Sequence, residues 1–319
     1  MPLEPMTPQE EPVCGAWQRL VQAVLILFLA ITALVLVHCL FPRLFPRNSS
    51  RLEDQVRTLT EQVRLLEQEQ GMPSVVLNRY RNSICYIFGI YQVGYPGKSP
   101  VQRTRISGSG FLVADGLIAT NRHVAEPWYG DPDSEDLIDH GAKPKLENLV
   151  AYFPGTPNPV KLMPAAFSSD GDLAVLRVNA PSLGEIPPLP LASTKPVPGD
   201  LVAVVGYPMG VLGMMAKAPT PVYARLASRH DDQGTAGELA ALSLIRPSAT
   251  CGHLGDVVGD KLIYDAPTAH GASGGPVFNS QGEVIGVNAA YIDGFSGGTL
   301  GVSAQALRPL IEQAQWKGF

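Results

Sequence analysis

The segment Thr268–Val277, TAHGASGGPV, crowds small residues around a single nucleophile candidate, the hydroxyl of Ser273. A serine in such a setting attacks only when a base takes its proton, so the fold turns on which histidine serves it. His270 stands three residues upstream on the same tight loop. A histidine that close is rarely aimed at its neighbour. Two readings of it stand, a spectator and a contact to substrate on the leaving-group side.

Ser273 also satisfies G-x-S-x-G with Gly271 and Gly275, and so does Ser296 with Gly294 and Gly298. In an α/β-hydrolase that pattern marks the strand-to-helix elbow, and the histidine follows the serine. No histidine follows His270, so the order excludes that fold. Ser296 is expected in a glycine-rich hairpin, IDGFSGGTL.

The base must therefore lie upstream, and the remaining histidines can be sorted by setting. His38 falls in an apolar run, His140 and His230 among charged residues, and His253 in the glycine-flanked turn TCGHLGD. His123 differs. In GSGFLVADGLIATNRHVAE the chain leaves LIATN and turns into RHVAE, which reads as one helical turn at a sheet edge. Its ring needs an orienting hydrogen bond at the second nitrogen to hold the proton-accepting tautomer. In SSDGDLAVLRV, Asp172 begins an apolar strand and is the expected orienter, while Asp170 reads as a turn aspartate.

The motifs TNRHV, DLAVLRV and GASGGPV, in the order His, Asp, Ser, resemble those of the chymotrypsin/trypsin-fold serine proteases. VVGYPMG at 204–210 and the GSGFLV to IATNRHV hairpin are similar to the HtrA/Deg branch. The resemblance covers roughly residues 83–314. It implies an all-β domain of two six-stranded β-barrels with a cleft between them. His123 would be base and acid, Asp172 its orienter and Ser273 the nucleophile. The N–H groups of Gly271 and Ser273 would form the oxyanion hole.

The resemblance also bears on substrate. Enzymes of this fold selective for Arg or Lys carry an aspartate six residues before the serine, where this chain has Pro267. The pocket walls would come from Asn288, Ala289, Ala290 and Tyr291 and from the strand Leu300–Ser303, which includes Val302. A small to medium apolar residue is expected before the scissile bond. HtrA proteases usually carry a C-terminal PDZ domain, which is not expected between the terminal helix and Phe319.

Composition agrees with β structure. Glycine (32) and proline (29) are frequent enough among 319 residues to favour short strands joined by turns. ICYIFGIY, GSGFLVAD, LIATN, NLVAYF, DLAVLRV, DLVAVVGYP, ALSLI, KLIYDA and EVIGVNAAY read as strands, and SAQALRPLIEQAQW as a helix opened by Ser303. These elements make a domain of 74–319. A net charge of −5 supplies no basic field for a phosphate backbone, so no nucleic-acid partner is expected. The four cysteines have no zinc-ligand spacing, and no metal or other cofactor is expected. Cys85 and Cys251 read either as a disulfide or as two buried thiols. The acidic segment between His123 and the next strand lacks the spacing of a calcium loop. It reads as a solvated loop, with a lid or partner contact as the alternative.

Two segments precede the domain, after a tail of 1–19. Residues 20–41, LVQAVLILFLAITALVLVHCLF, are long and apolar enough to span a bilayer as one helix. Arg43, Arg47, Arg51 and Arg57 follow it, which would keep the bulk of the chain in the cytoplasm, but long domains translocate largely regardless of such charges. The resemblance favours the extracytoplasmic, periplasmic side. In the segment 51–70, Leu52, Val56, Leu59, Val63 and Leu66 alternate steps of four and three, a coiled-coil seam. It reads as a self-associating stalk, with HtrA-like trimers as precedent, or as an amphipathic helix lying on the next domain; Gly71 and Pro73 are expected to end it.

Together these readings give a membrane-anchored serine endopeptidase acting on exposed, extended segments of proteins. The alternative is an idle protease-fold binding or scaffolding module.

Overall fold

The computed structural model describes residues 13–44, 49–178, 183, 186–229, 231–291 and 298–316. The first twelve residues of the expected tail, His230, and the Ser296 hairpin from 292 to 297 lie outside the described residues. The chain divides into two compact units, 1–64 and 65–319.

In the first unit, helix α1 (Val13–Leu44) contains the stretch Trp17–Leu40, apolar on every face and unburied by other parts of the chain. It is the one helix among the described residues long and apolar enough to cross a membrane. Helix α2 (Ser49–Tyr80) begins in the same unit, and Leu52, Val56, Leu59, Val63 and Leu66 are all exposed on it.

Gly71 and Pro73 do not end α2, contrary to the expectation from sequence; the helix runs on to Tyr80. The reason is tertiary. Met72, Val76 and Tyr80, one helical turn apart, belong to the second unit and are buried in its core, where Tyr80 stacks on Phe278 with centroids 5.4 Å apart. Burying an aromatic and two aliphatic side chains contributes about 1.5–3 kcal/mol each, comparable with the roughly 3 kcal/mol that an interior proline costs.

The second unit consists of two closed barrels of six antiparallel strands. The first has the order β1-β2-β3-β6-β5-β4 (Ile84–Gly94, Gln102–Ala114, Leu117–Thr120, Ala174–Val178, Val160–Phe167, Lys143–Tyr152). In the second the order is β10-β11-β12-β9-β8-β7 (Pro276–Phe278, Val284–Tyr291, Thr299–Ser303, Lys261–Tyr264, Ser248–Val258, Leu201–Gly206). Successive side chains of a strand face opposite ways, so β1 sends Ile87 into the interior of the first barrel and Tyr86 and Phe88 to the other face. That other face joins Phe278 and Tyr207 of the second barrel in one continuous core. A separate cluster of Val202, Leu254, Leu262, Val277 and Ile285 fills the second barrel.

Helices decorate this frame. The turn after β3 is α3 (Arg122–Ala125), and the acidic segment contains α4 (Pro132–Asp139). Between β7 and β8 stand α5 (Gly210–Met215), α6 (Thr220–Ala227) and α7 (Asp232–Ala241). This corrects ALSLI, expected as a strand: Ala241 ends α7, Ser243 has φ +56°, and Leu244 N–H returns to Leu239 O at 2.7 Å. Within ALSLI only Ile245 is buried and Leu242 is exposed, so the apolar run covers a helix end and the turn after it with no buried strand face. At the C-terminus Ser303 Oγ accepts from Gln305 N–H, and α8 (Leu307–Trp316) follows after a 3-10 turn. Cys85 is buried in the first barrel and Cys251 lies on β8 of the second; no disulfide joins them.

Candidate active site

β3 delivers the chain directly into α3, and that single turn carries His123. Asn121 at its start is fully buried, and its side-chain amide donates to Asp172 O at 2.8 Å. This ties the α3 turn to the segment entering β6. Asp172 is held twice by His123: Oδ1 accepts the backbone N–H at 3.0 Å and Oδ2 lies 2.7 Å from ring Nδ1. An ionised carboxylate only accepts, so Nδ1 carries the proton and Nε2 is left as the acceptor.

Burial alone would raise the Asp172 carboxyl. The hydrogen bond and charge of His123, with backbone N–H groups of His123 and Arg122, outweigh it and hold the group below the usual aspartate range. Asp170 is exposed in the adjoining turn, where its N–H faces Ser168 Oγ.

The serine loop is held from both barrels. Gly271 and Gly274 adopt φ of +89° and +86°, and a Cβ on Gly274 would stand 2.1 Å from Ser109 O. Only glycine accommodates both the conformation and the approach. Ser109, fully buried on β2, is the main anchor: its N–H donates to Ser273 O at 2.7 Å and its hydroxyl to Gly271 O at 2.7 Å. The same hydroxyl accepts from Tyr207 N–H at 3.0 Å, and Thr120 Oγ1 donates to Ser109 O at 2.8 Å.

A second anchor acts one peptide earlier. Met209 N–H donates to His270 O at 2.6 Å, from a residue in the left-handed region with φ +63°. In a trans peptide the N–H points away from the C=O, so fixing His270 O toward Met209 turns Gly271 N–H the opposite way. Among the described residues neither Gly271 N–H nor Ser273 N–H donates a hydrogen bond.

His123, Gly271 and Ser273 border one cavity of about 550 Å³, together with Met209 and His270. Ser273 Oγ donates to Ala289 O at 2.9 Å, and among the described residues no hydrogen bond joins it to His123. A rotation about its side-chain torsion is needed to aim the hydroxyl at the ring.

The expected substrate-pocket residues lie outside that cavity. Asn288 is buried, accepting from Tyr264 OH at 2.7 Å and donating to Thr268 Oγ1 at 3.3 Å. Pro267 O accepts from Thr250 Oγ1, Ala289 is half-buried, Ala290 is exposed beyond a break in the β11–β12 register, and Val302 faces Val287 across that pair. His140 and His253 are exposed, and His38 lies in α1. Ser109, Thr120, Asn121 and Met209 carry much of the geometry, yet in the sequence they are ordinary polar or apolar strand and turn residues.

The comparisons with known proteins agree with this architecture. Residues 108–287 match the trypsin-like peptidase domain. The chain is 31% identical over 204 residues to a probable periplasmic serine endoprotease DegP-like of Halomonas elongata, covering 63% of this chain and 33% of that protein. A glutamyl endopeptidase of Staphylococcus epidermidis is 26% identical over 236 residues, covering 71% of this chain and 70% of that protein. Among solved structures, an HtrA-type protease, an AlgW variant with a decapeptide, superimposes with a TM-score of 0.52 at 15% identity, covering 77% of this chain and 67% of that one. The chain thus spans about a third of the length of the DegP-like relatives it matches. With more than half of its residues inside the matched domain, the chain belongs to the trypsin-like peptidase domain family.

Proposed function

We propose that this protein is a serine endopeptidase in which Ser273 is the nucleophile, His123 the general base and acid, and Asp172 the group that orients His123. The observation that carries the reading is the double hold of Asp172 on His123, 3.0 Å at the backbone and 2.7 Å at Nδ1, with the ring bordering the same cavity as Ser273. Ser273 Oγ swings from Ala289 O toward Nε2, gives up its proton and attacks the substrate carbonyl. The oxyanion that forms is met by the Gly271 and Ser273 N–H groups. His123 then passes the proton to the leaving amine, and water releases the acyl group by the same steps in reverse.

The idle-module alternative requires a serine loop whose His270 carbonyl fills the oxyanion position. The 2.6 Å hydrogen bond from Met209 to that carbonyl favours the active arrangement instead. Pro267, Asn288, Ala289, Ala290 and Val302 form the pocket for the residue before the scissile bond, with an apolar preference. Incubation of an unfolded protein with wild type and with Ser273→Ala tests the reading: wild type cleaves it and the variant does not. Equal rates from both would refute it.

The reading extends to location. Trp17–Leu40 anchors the chain in a membrane, and the DegP-like relative's description as periplasmic supports an extracytoplasmic peptidase domain. The exposed seam Leu52 to Leu66 joins copies of the chain, with extended protein segments as substrates. Protease accessibility in intact cells tests the sidedness, and mass in detergent with and without residues 51–70 tests the seam.

A further inference from the structure

The cavity beside Ser273 follows β2 toward the start of α4 and includes none of the residues proposed for the pocket before the scissile bond, so on that proposal it takes the part of a substrate that leaves first. Far from the serine its lining changes character. Tyr91, Ile106 and Pro127 give it an apolar floor, and Asp131 stands at its border beside Gln102. We infer that this is a leaving-group subsite selecting a lysine or arginine side chain, with Asp131 as the specificity-determining residue. The inference rests on the peptidase reading above and refines it.

A long aliphatic stem ending in a cation matches such a site: methylenes cover the floor while the charged head reaches the carboxylate. Asp131 is preorganised for that partner. Its Oδ2 accepts from Ser134 Oγ at 2.5 Å, Tyr91 OH at 3.3 Å and Gln102 Nε2 at 3.4 Å. The Ser134 hydrogen bond, and after it those of Gln102 and Tyr91, overcome burial and keep the carboxyl below its ordinary range.

Among the described residues no lysine or arginine at the cavity pairs with Asp131. Arg105 lines it but is paired with Asp232 on α7 at 2.7 Å, and Arg122, outside it, is paired with Glu126 at 2.8 Å. The two histidines of the lining, His123 and His270, lie with Gly271 and Ser273 at the catalytic end. From Pro127 to Asp139 the chain has no lysine or arginine, so α4 adds only negative charge behind Asp131. A glutamate in the same substrate position meets repulsion and the cost of leaving water.

The test uses matched unstructured peptides that differ only in carrying Lys, norleucine or Glu within the first few positions after the scissile bond. Two readouts run in parallel: kcat/KM with wild type, and fluorescence-anisotropy binding to Ser273→Ala. The Lys peptide should exceed norleucine by about fivefold in each, with Glu the weakest. Asp131→Asn should bring the Lys-to-norleucine ratio toward one, and because a ratio is read, any general loss of activity cancels. Should that variant fold poorly, raising salt with wild type serves instead: the Lys advantage should shrink while the norleucine rate holds. Equal handling of Lys and norleucine, or a Lys preference that survives both Asp131→Asn and high salt, overturns the inference. Lys-selective binding without cleavage of any peptide would leave the subsite standing and remove the peptidase reading.

Discussion

Asp172 owes its low pKa to partners that exist only in the folded chain, so its ionisation contributes to stability. Its folded value lies below the unfolded one. The contribution is therefore present above the ordinary aspartate value and is lost as pH falls through the depressed one. Thermal melts on acidification should show wild type losing Tm more steeply below the ordinary carboxylate range than Asp172→Asn does. At neutral pH the same variant should lower kcat about 10⁴-fold, because an amide donor favours the wrong tautomer of His123.

Ser109→Ala is expected to act differently, since it removes the shared partner of Gly271 O and Tyr207 N–H. Two buried groups left unpaired should cost about 1–3 kcal/mol each, seen as a lower Tm. A loosened serine loop should reduce kcat about tenfold with a smaller change in KM. At this scale the sequence was legible where chemistry restricts residue type. Order and spacing singled out His123, Asp172 and Ser273, and the structure brings the first two into contact and sets the third on the same cavity. Ser109 and Met209 act through backbone geometry, which their side chains do not announce.

The elements divide by where their stabilising partners lie. β1, β3, β6 and β11 were readable from short apolar runs, because the faces that they bury are local properties of the strand. α2 was readable only as far as its seam. Its continuation through Gly71 and Pro73 depends on packing inside the second unit, where Tyr80 meets Phe278, a residue far away in sequence. Tyr80→Ala should therefore destabilise the peptidase domain by about 3–5 kcal/mol in denaturant titrations, while Leu59→Ala, exposed on the same helix, should leave that transition in place. Helices α5 to α7 escaped the sequence reading for a similar reason. Val211, Met214, Met215, Leu226 and Leu239 are buried in a core shared with both barrels, and helices of 6, 8 and 10 residues give the helical period too few turns to stand out from short apolar runs.

For the whole molecule, the arrangement of three apolar clusters explains how two barrels hold one site. Each barrel has its own interior, while the cluster shared between them fixes β2 of the first against the serine loop of the second. Two closed barrels followed from the family resemblance; composition alone reached no further than all-β. The proposed membrane anchor belongs to this scale too. The full chain should sediment with membranes and resist alkaline extraction, and removing residues through Leu44 should release it.

The central claim is that Ser273 becomes a nucleophile through His123, and covalent labelling tests it most directly. A fluorophosphonate probe, followed by mass spectrometry of the labelled peptide, should modify wild type at Ser273 alone. The adduct should disappear in Ser273→Ala and form far more slowly in His123→Ala. An adduct on another residue, or labelling of Ser273 at the wild-type rate without the His123 ring, would contradict the account.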